Sequence, residues 1–328
     1  MTVRKIGRFS ARAGRSSARF GGRVLVRVLR AATDEAMPDL PVPPASRAVS
    51  LPDRGTTHVL DIPGPTPDAP VLLLMHGIAT TGSLTWFSVL SELSERYRVV
   101  TFDQRWHGRG IRSEQFSLDD CADDGVAVLD ALGIERAVVV GYSMGGASAQ
   151  VLWHRHPERV AGLVLCSTAA RWQGHLGERV FFMTLSIANL GLLSVAADKV
   201  RVHAESLPLP AEDAAEAGLR AWAMSELRAT SPWALPVVMS ELGRFDATGW
   251  IGEVEVPTGV LVTARDHAIP TERQRQLAAR IPGAVVRETP GGHASLVFDL
   301  AHWKPAFLDL VDEVVERAVD RPETAAKG

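Results

Sequence analysis

Ser143, Asp266 and His293 are the residues whose types and places in the chain could do chemistry. The serine stands in Gly141-Tyr142-Ser143-Met144-Gly145, a G-x-S-x-G stretch between Ala137-Val138-Val139-Val140 and a helix-like run ending near His156. A β-branched strand that turns sharply into a helix lifts one serine side chain above the end of a sheet, and glycines on either side give the turn room. A serine hydroxyl is a weak nucleophile near neutral pH, so it needs a base, and the base needs a group to orient it. Ten histidines are available, and position narrows them. His293 lies in Thr289-Pro290-Gly291-Gly292-His293, a glycine-rich loop after the last strand-like run. The acid should follow a strand too, and Val260-Leu261-Val262-Thr263 leads into Ala264-Arg265-Asp266-His267. The other place, Ser167-Thr168-Ala169-Ala170, offers no carboxylate.

Negative charge developing on a substrate oxygen needs donors as well. One expected N–H is that of Met144, directly after the serine. The other is that of Ile78, in His76-Gly77-Ile78 after the run Val71–Met75, with Gly77 supplying backbone freedom. His76, His107, His154, His156 and His267 read as structural. His154 and His156 are two apart and cannot share a helix face for a metal. Neither a metal site nor a bound cofactor is expected.

These residues need a sheet whose strand ends point one way. Strand-like runs occur at 57–62, 71–75, 97–102, 137–142, 160–166, 256–263 and 284–289, several of them continuously apolar, as in a parallel sheet covered on both faces. Amphipathic segments alternate with them. One starts at Ser117 with Asp120 in a capping-box-like position and stops at Gly133; another starts at Thr271 with Gln274 in the reciprocal capping position. The expectation is an α/β fold with a doubly wound, mostly parallel sheet, whose ligands bind beyond the carboxyl ends of the strands. The alternation breaks at 169–251, which reads as a helical lid inserted between a first core part, 57–168, and a second, 252–322. Within it 180–197 carries no charge; a buried lid helix is favoured there over a membrane span.

Hydrophobic residues make up 46% and charged residues 22% of 328, the balance of a folded globular chain. The two cysteines, Cys121 and Cys166, build no disulfide framework and no C-x-x-C site, so a reducing, cytoplasmic compartment is expected. The net charge of −3 hides an uneven distribution. Residues 1–30 carry nine Lys and Arg and no Asp or Glu, which leaves the remainder at −12. Arg8, Arg12, Arg15, Arg19, Arg23, Arg27 and Arg30 recur at three- and four-residue intervals. On a helix they form a cationic stripe suited to the inner face of an anionic membrane. The alternative is a poorly ordered tail, since Gly7, Gly14, Gly21 and Gly22 weaken a helix. This segment, 1–36, is followed by a Pro-rich linker at 37–56, and 323–328 reads as a disordered end. An acidic body and the lack of any nucleic-acid motif argue against a nucleic-acid partner.

Taken together, His76-Gly77, Asp103-Gln104-Arg105-Trp106-His107-Gly108, the G-x-S-x-G stretch, Asp266 and His293 resemble the α/β-hydrolase fold superfamily in its lid-bearing serine form, over roughly residues 57–318. The resemblance implies a nucleophile at Ser143, an acid at Asp266, a base at His293 and oxyanion donors at Ile78 and Met144, in the Ser–Asp–His chain order of such enzymes. It implies hydrolysis of a small, apolar carboxylic ester through an acyl-enzyme. C–C bond or thioester hydrolysis, a cofactor-free haloperoxidase-like activity and a non-catalytic receptor are the alternatives. Trp106 departs from the pattern, which has glycine there.

Overall fold

The computed structural model describes residues 40–174, 176–207 and 214–320. The expectations for 1–36 and 323–328 lie outside the described residues. Eight strands form one sheet: β1 (Arg47–Leu51), β2 (Gly55–Ile62), β3 (Val71–Met75), β4 (Arg98–Phe102), β5 (Ala137–Tyr142), β6 (Val160–Cys166), β7 (Thr258–Thr263) and β8 (Val285–Thr289), in the order β1-β2-β4-β3-β5-β6-β7-β8. β1–β2 and β2–β4 pair antiparallel, and every later pair is parallel. The central strands are apolar on both faces because helices cover both. Leu73, Met75 and Val139 belong to one core layer, and Leu72, Leu74, Val138 and Val140 to the other, the period-two split of a strand buried on both sides.

The helices are α1 (Gly82–Trp86), α2 (Leu90–Ser94), α3 (Leu118–Ala131), α4 (Met144–Arg155), α5 (Leu176–Glu205), α6 (Ala214–Ala229), α7 (Ala234–Arg244), α8 (Thr271–Arg280), α9 (Ser295–Phe298) and α10 (Leu300–Val319). α3 starts as its sequence announces: the Ser117 hydroxyl accepts the Asp120 N–H at 3.0 Å.

Three features differ from the sequence reading. β1 falls inside the stretch read as a linker, 37–56, and pairs with β2 from Arg47↔Val59 to Leu51↔Gly55. Its alternation of exposed and buried residues, in only five positions, is too short a signal to stand out beside so many prolines. α8 is capped by Pro270, and Gln274 turns inward instead of serving the helix start. The uncharged stretch 180–197 is part of α5, which bends by 78° between Leu176–Asn189 and Leu193–Glu205. It is not simply buried, because Val180, Met183, Ile187 and Val195 are exposed. No single helix among the described residues is long and apolar enough to cross a membrane.

The insertion between β6 and β7 consists of α5, α6 and α7. α5 lies on α7 through Phe182 against Gly243, a Ser186–Ser240 hydroxyl pair at 2.7 Å and the Asn189 amide donating to the Pro236 carbonyl at 2.8 Å. On α6, Trp222 packs edge-on against Phe87, and Leu40 and Val42 lean on the same cluster.

Trp106 occupies the left-handed region at φ 65° and is fully buried. Its backbone N–H donates to the Ile111 carbonyl at 3.0 Å, while the indole N–H donates to the Ser113 carbonyl at 3.1 Å and the ring leans on Phe116. A residue other than glycine is therefore held in this turn by side-chain burial and hydrogen bonds.

Candidate active site

β5 delivers Ser143 into the turn before α4. The residue sits at φ 55°, ψ −115°, outside the regions that L-residues favour. Its N–H donates to the Cys166 carbonyl at 2.9 Å, and the Thr168 hydroxyl donates to its carbonyl at 2.9 Å, so the end of β6 and the loop after it pin both sides of the strained unit. The flanking glycines give the turn its room by letting backbone approach closely. Neither has a positive φ. A Cβ on Gly141 would meet the Gly145 carbonyl oxygen at 2.4 Å, and one on Gly145 would meet the Met75 carbonyl oxygen at 2.1 Å. They permit backbone to approach backbone, while the serine itself takes the strain.

The three expected side chains come together from three strand ends. Ser143 Oγ lies 2.9 Å from His293 Nε2, and His293 Nδ1 lies 2.8 Å from Asp266 Oδ2. The loops carrying acid and base are tied by backbone: the Ala264 N–H donates to the Thr289 carbonyl and the Arg265 N–H to the Gly291 carbonyl. The Tyr142 ring packs 5.5 Å from the imidazole. Ser143 is 2% exposed, whereas the His293 side chain is 20% exposed.

Asp266 is surrounded by donors. Oδ1 accepts the N–H groups of Ala268 and Ile269 at 2.8 and 2.9 Å. Oδ2 accepts the Thr263 hydroxyl at 2.8 Å and the Gln274 amide at 3.0 Å. Burial alone would raise the carboxyl, but the adjacent His293 imidazole and these donors outweigh it and hold Asp266 below the ordinary carboxylate range. A charged acid on Nδ1 fixes the ring so that Nε2 faces the serine hydroxyl.

The loop after β3 runs beside the serine: a Cβ on Gly77 would stand 3.6 Å from Ser143 Cβ. Met144 opens α4, so its N–H is one of the helix's unpaired first donors. Among the described residues, neither the Ile78 nor the Met144 N–H has an acceptor. His76 shapes this loop from below. Its Nε2 accepts the Gln104 N–H at 2.9 Å and its Nδ1 donates to the Gly77 carbonyl at 2.7 Å. Burial, with His107 beside it, pushes the imidazole down to about 3, so it stays neutral as this bonding requires.

Sequence reasoning passed over Thr263, Thr168 and Gln274. A signal existed for the last. Gln274 shares a helical face with Leu277, Ala278 and Ile281, all buried, and an amide on a buried face must find polar partners. Among the described residues, no group of three or more His, Cys, Asp or Glu gathers to hold a metal ion.

A family model described as alpha/beta hydrolase fold matches residues 70–300. The chain belongs to the α/β-hydrolase fold family. Its curated relatives include a protein named carbamate hydrolase RutD from Caulobacter sp. strain K31, 31% identical over 242 residues that cover 71% of this chain and 87% of that one. RutD of Caulobacter vibrioides strain NA1000 is 29% identical over 256 residues, 76% and 93% of the two chains. Among solved α/β hydrolases and their structural neighbours, a hydrolase from Pseudomonas aeruginosa PA01 aligns with TM-score 0.63 at 25% identity, covering 81% of this chain and 98% of that chain. The enol-lactonase from Burkholderia xenovorans LB400 aligns with TM-score 0.62 at 23% identity, covering 82% and 100%, a likeness of fold. Hydrolase chemistry is thus the property this α/β-hydrolase chain shares with its relatives.

Proposed function

We propose that this α/β hydrolase cleaves a small, apolar carboxylic ester through an acyl-enzyme on Ser143. The observation that carries the reading is the unbroken run of contacts from Ser143 Oγ through His293 to Asp266. His293 Nε2 takes the hydroxyl proton as Oγ attacks the carbonyl carbon. The resulting oxyanion accepts the Ile78 and Met144 N–H groups, and collapse expels the alcohol, which receives the proton from His293. Water then repeats the sequence on the acyl-enzyme. Asp266, charged and fully bonded, stabilises the imidazolium formed in each half.

Carbamate hydrolysis is the second reading, favoured by the name of the 31%-identical relatives. It uses the same groups, with a carbamoyl in place of the acyl. The insertion α5–α7 would act as the lid, and the basic segment 1–36 as a peripheral contact with anionic lipid in a cytoplasmic enzyme.

The deciding experiment is turnover of p-nitrophenyl esters of graded acyl length, a p-nitrophenyl carbamate, an acyl-CoA and a vinylogous diketone, each by wild type and Ser143→Ala. Ester cleavage that depends on Ser143, with a fluorophosphonate adduct on that residue by mass spectrometry, is the expected result. Serine-dependent turnover confined to the carbamate, thioester or diketone would replace the ester reading. Ester turnover that survives Ser143→Ala would remove the nucleophile.

A further inference from the structure

Glu226 on α6 is a buried carboxylate far from the serine in sequence but tied to its surroundings. Its Oε2 accepts the Thr81 hydroxyl at 2.5 Å and its Oε1 accepts Arg109 Nη1 at 2.9 Å, with the side chains of Arg109 and Glu226 only 9% and 10% exposed. Burying such a pair is costly in desolvation, so stability alone is a poor explanation of it. The pair joins three segments: the insertion, the loop after β3 and the loop after β4.

Further bonds close the ring. Asp103 accepts the Gly82 N–H at 2.9 Å through Oδ1 and the Arg109 N–H at 2.8 Å through Oδ2. The Thr230 hydroxyl, just past α6, accepts the Gly108 N–H at 3.0 Å and donates to the Thr80 carbonyl at 3.4 Å. Thr81 also caps α1, accepting the Leu84 N–H at 3.1 Å. Between Ile78 and these anchored residues stands Ala79 at φ 64°, a conformation that a residue with a Cβ avoids. A loop bent that way needs outside contacts to stay bent, and Glu226 reaches it from the insertion through Thr81.

We propose that Glu226 is a positioning residue for the Ile78 N–H. It fastens the insertion to the loop after β3 and holds that loop in the strained shape that aims the donor at a substrate oxygen on Ser143. The inference rests on the reading of Ser143 as nucleophile. Because the donor matters when the oxygen is charged, losing its alignment lowers kcat and spares KM.

The test compares Glu226→Ala, Glu226→Gln and Thr81→Val with wild type. It reads kcat and KM on a short ester, and inhibition by phenylboronic acid, which forms a tetrahedral adduct on a serine. Glu226→Ala should lower kcat by roughly 30-fold, leave KM within about twofold and weaken boronate inhibition by about the same 30-fold. Glu226→Gln keeps an oxygen for the Thr81 hydroxyl and should return kcat to within about fivefold of wild type; Thr81→Val should lower it by about tenfold. A purely structural role would not move boronate affinity and kcat together. Wild-type kcat in Glu226→Ala, or a loss of kcat with unchanged boronate inhibition, overturns the proposal. Should Glu226→Ala fail to fold, Thr81→Val is judged by the same two readouts. Ser143→Ala, run in parallel, separates the two failures. Turnover surviving there overturns the nucleophile and Glu226's role together, whereas its loss alongside an unaffected Glu226→Ala overturns the positioning role alone.

Discussion

Gln274 Nε2 stands 3.0 Å from Asp266 Oδ2 and 3.0 Å from Thr263 Oγ1, while its Oε1 accepts the Thr263 N–H at 3.0 Å. One amide thereby locks the end of β7 to the carboxylate that orients His293. Gln274→Leu should lower kcat roughly tenfold, the scale of a lost hydrogen bond to a charged group. Gln274→Glu sets a like charge beside Asp266 and raises its pKa. The acid limb of its kcat–pH profile should therefore move to higher pH than in wild type. Profiles of the three proteins check both statements, and superimposable profiles would falsify the second.

Ser143→Ala, His293→Ala and Asp266→Asn should each reduce ester turnover by roughly 10⁴-fold or more, and pairwise combinations should add little, because the three act as a unit. Burst kinetics on the single and double variants measure this. Near-normal turnover by Asp266→Asn would show that another group orients the imidazole.

Trp106→Gly tests which of two effects wins. Glycine relieves the cost of φ 65°, worth about 1–2 kcal/mol. It also empties the volume of a fully buried indole, worth about 3–5 kcal/mol when removed from a core. The variant should be destabilised by about 1–4 kcal/mol in urea unfolding, so glycine cannot simply take the place of this tryptophan. A more stable variant would mean that backbone strain dominates.

Acid should weaken the fold with a definite slope. Burial pushes His107 down to about 4, against its bond to the Arg105 carbonyl, and burial with the neighbouring His107 pushes His76 to about 3. Histidines lowered in the folded state contribute stability that is intact above their unfolded value near 6.5 and is lost as pH falls toward the folded values. Asp103 goes the other way. Burial, then the Glu226 charge, raises it to about 6, so its contribution is present below the unfolded value near 3.8 and lost as pH rises through about 6. Near pH 5 the unfolded chain holds about two more protons on the imidazoles, and the folded chain about one more on Asp103. Stability should fall by about 1.4 kcal/mol per pH unit there. His107→Asn should flatten the slope and Asp103→Asn steepen it, as urea titrations between pH 5 and 7 would reveal.

The basic segment should bind vesicles containing phosphatidylglycerol at low salt and release them at high salt, each basic residue adding about 1 kcal/mol near such a surface. Deleting residues 1–36 should abolish co-sedimentation and leave short-ester kcat nearly unchanged. Deleting 1–44 should also lower thermal stability, because Leu40 and Val42 cover the Trp222–Phe87 cluster. Full-length protein that stays in the supernatant at low salt would sink the lipid contact.

The parallel strands were legible because both faces are covered, which writes them as unbroken runs such as Val138-Val139-Val140. The meeting of Ser143, His293 and Asp266 was legible because strand ends converge, so residues placed after β5, β7 and β8 come together. β1 was not, since an edge strand of five residues buries only two of them. Nor were Gln274 and Glu226. A polar side chain turned inward looks, in one dimension, like any other polar residue of a helix; its meaning lies in partners such as Thr263 or Thr81, far off in the chain.

The insertion also fixes an order in time. Ser143 and His293 are separated by 150 residues, and α5–α7 are made between them. A chain emerging from the ribosome presents its serine long before the imidazole that comes to stand 2.9 Å from it exists. With Ser143 as the proposed nucleophile, the serine stays chemically unarmed until β8 has joined the sheet edge, and a product truncated before residue 293 would keep it without the imidazole proposed as its base.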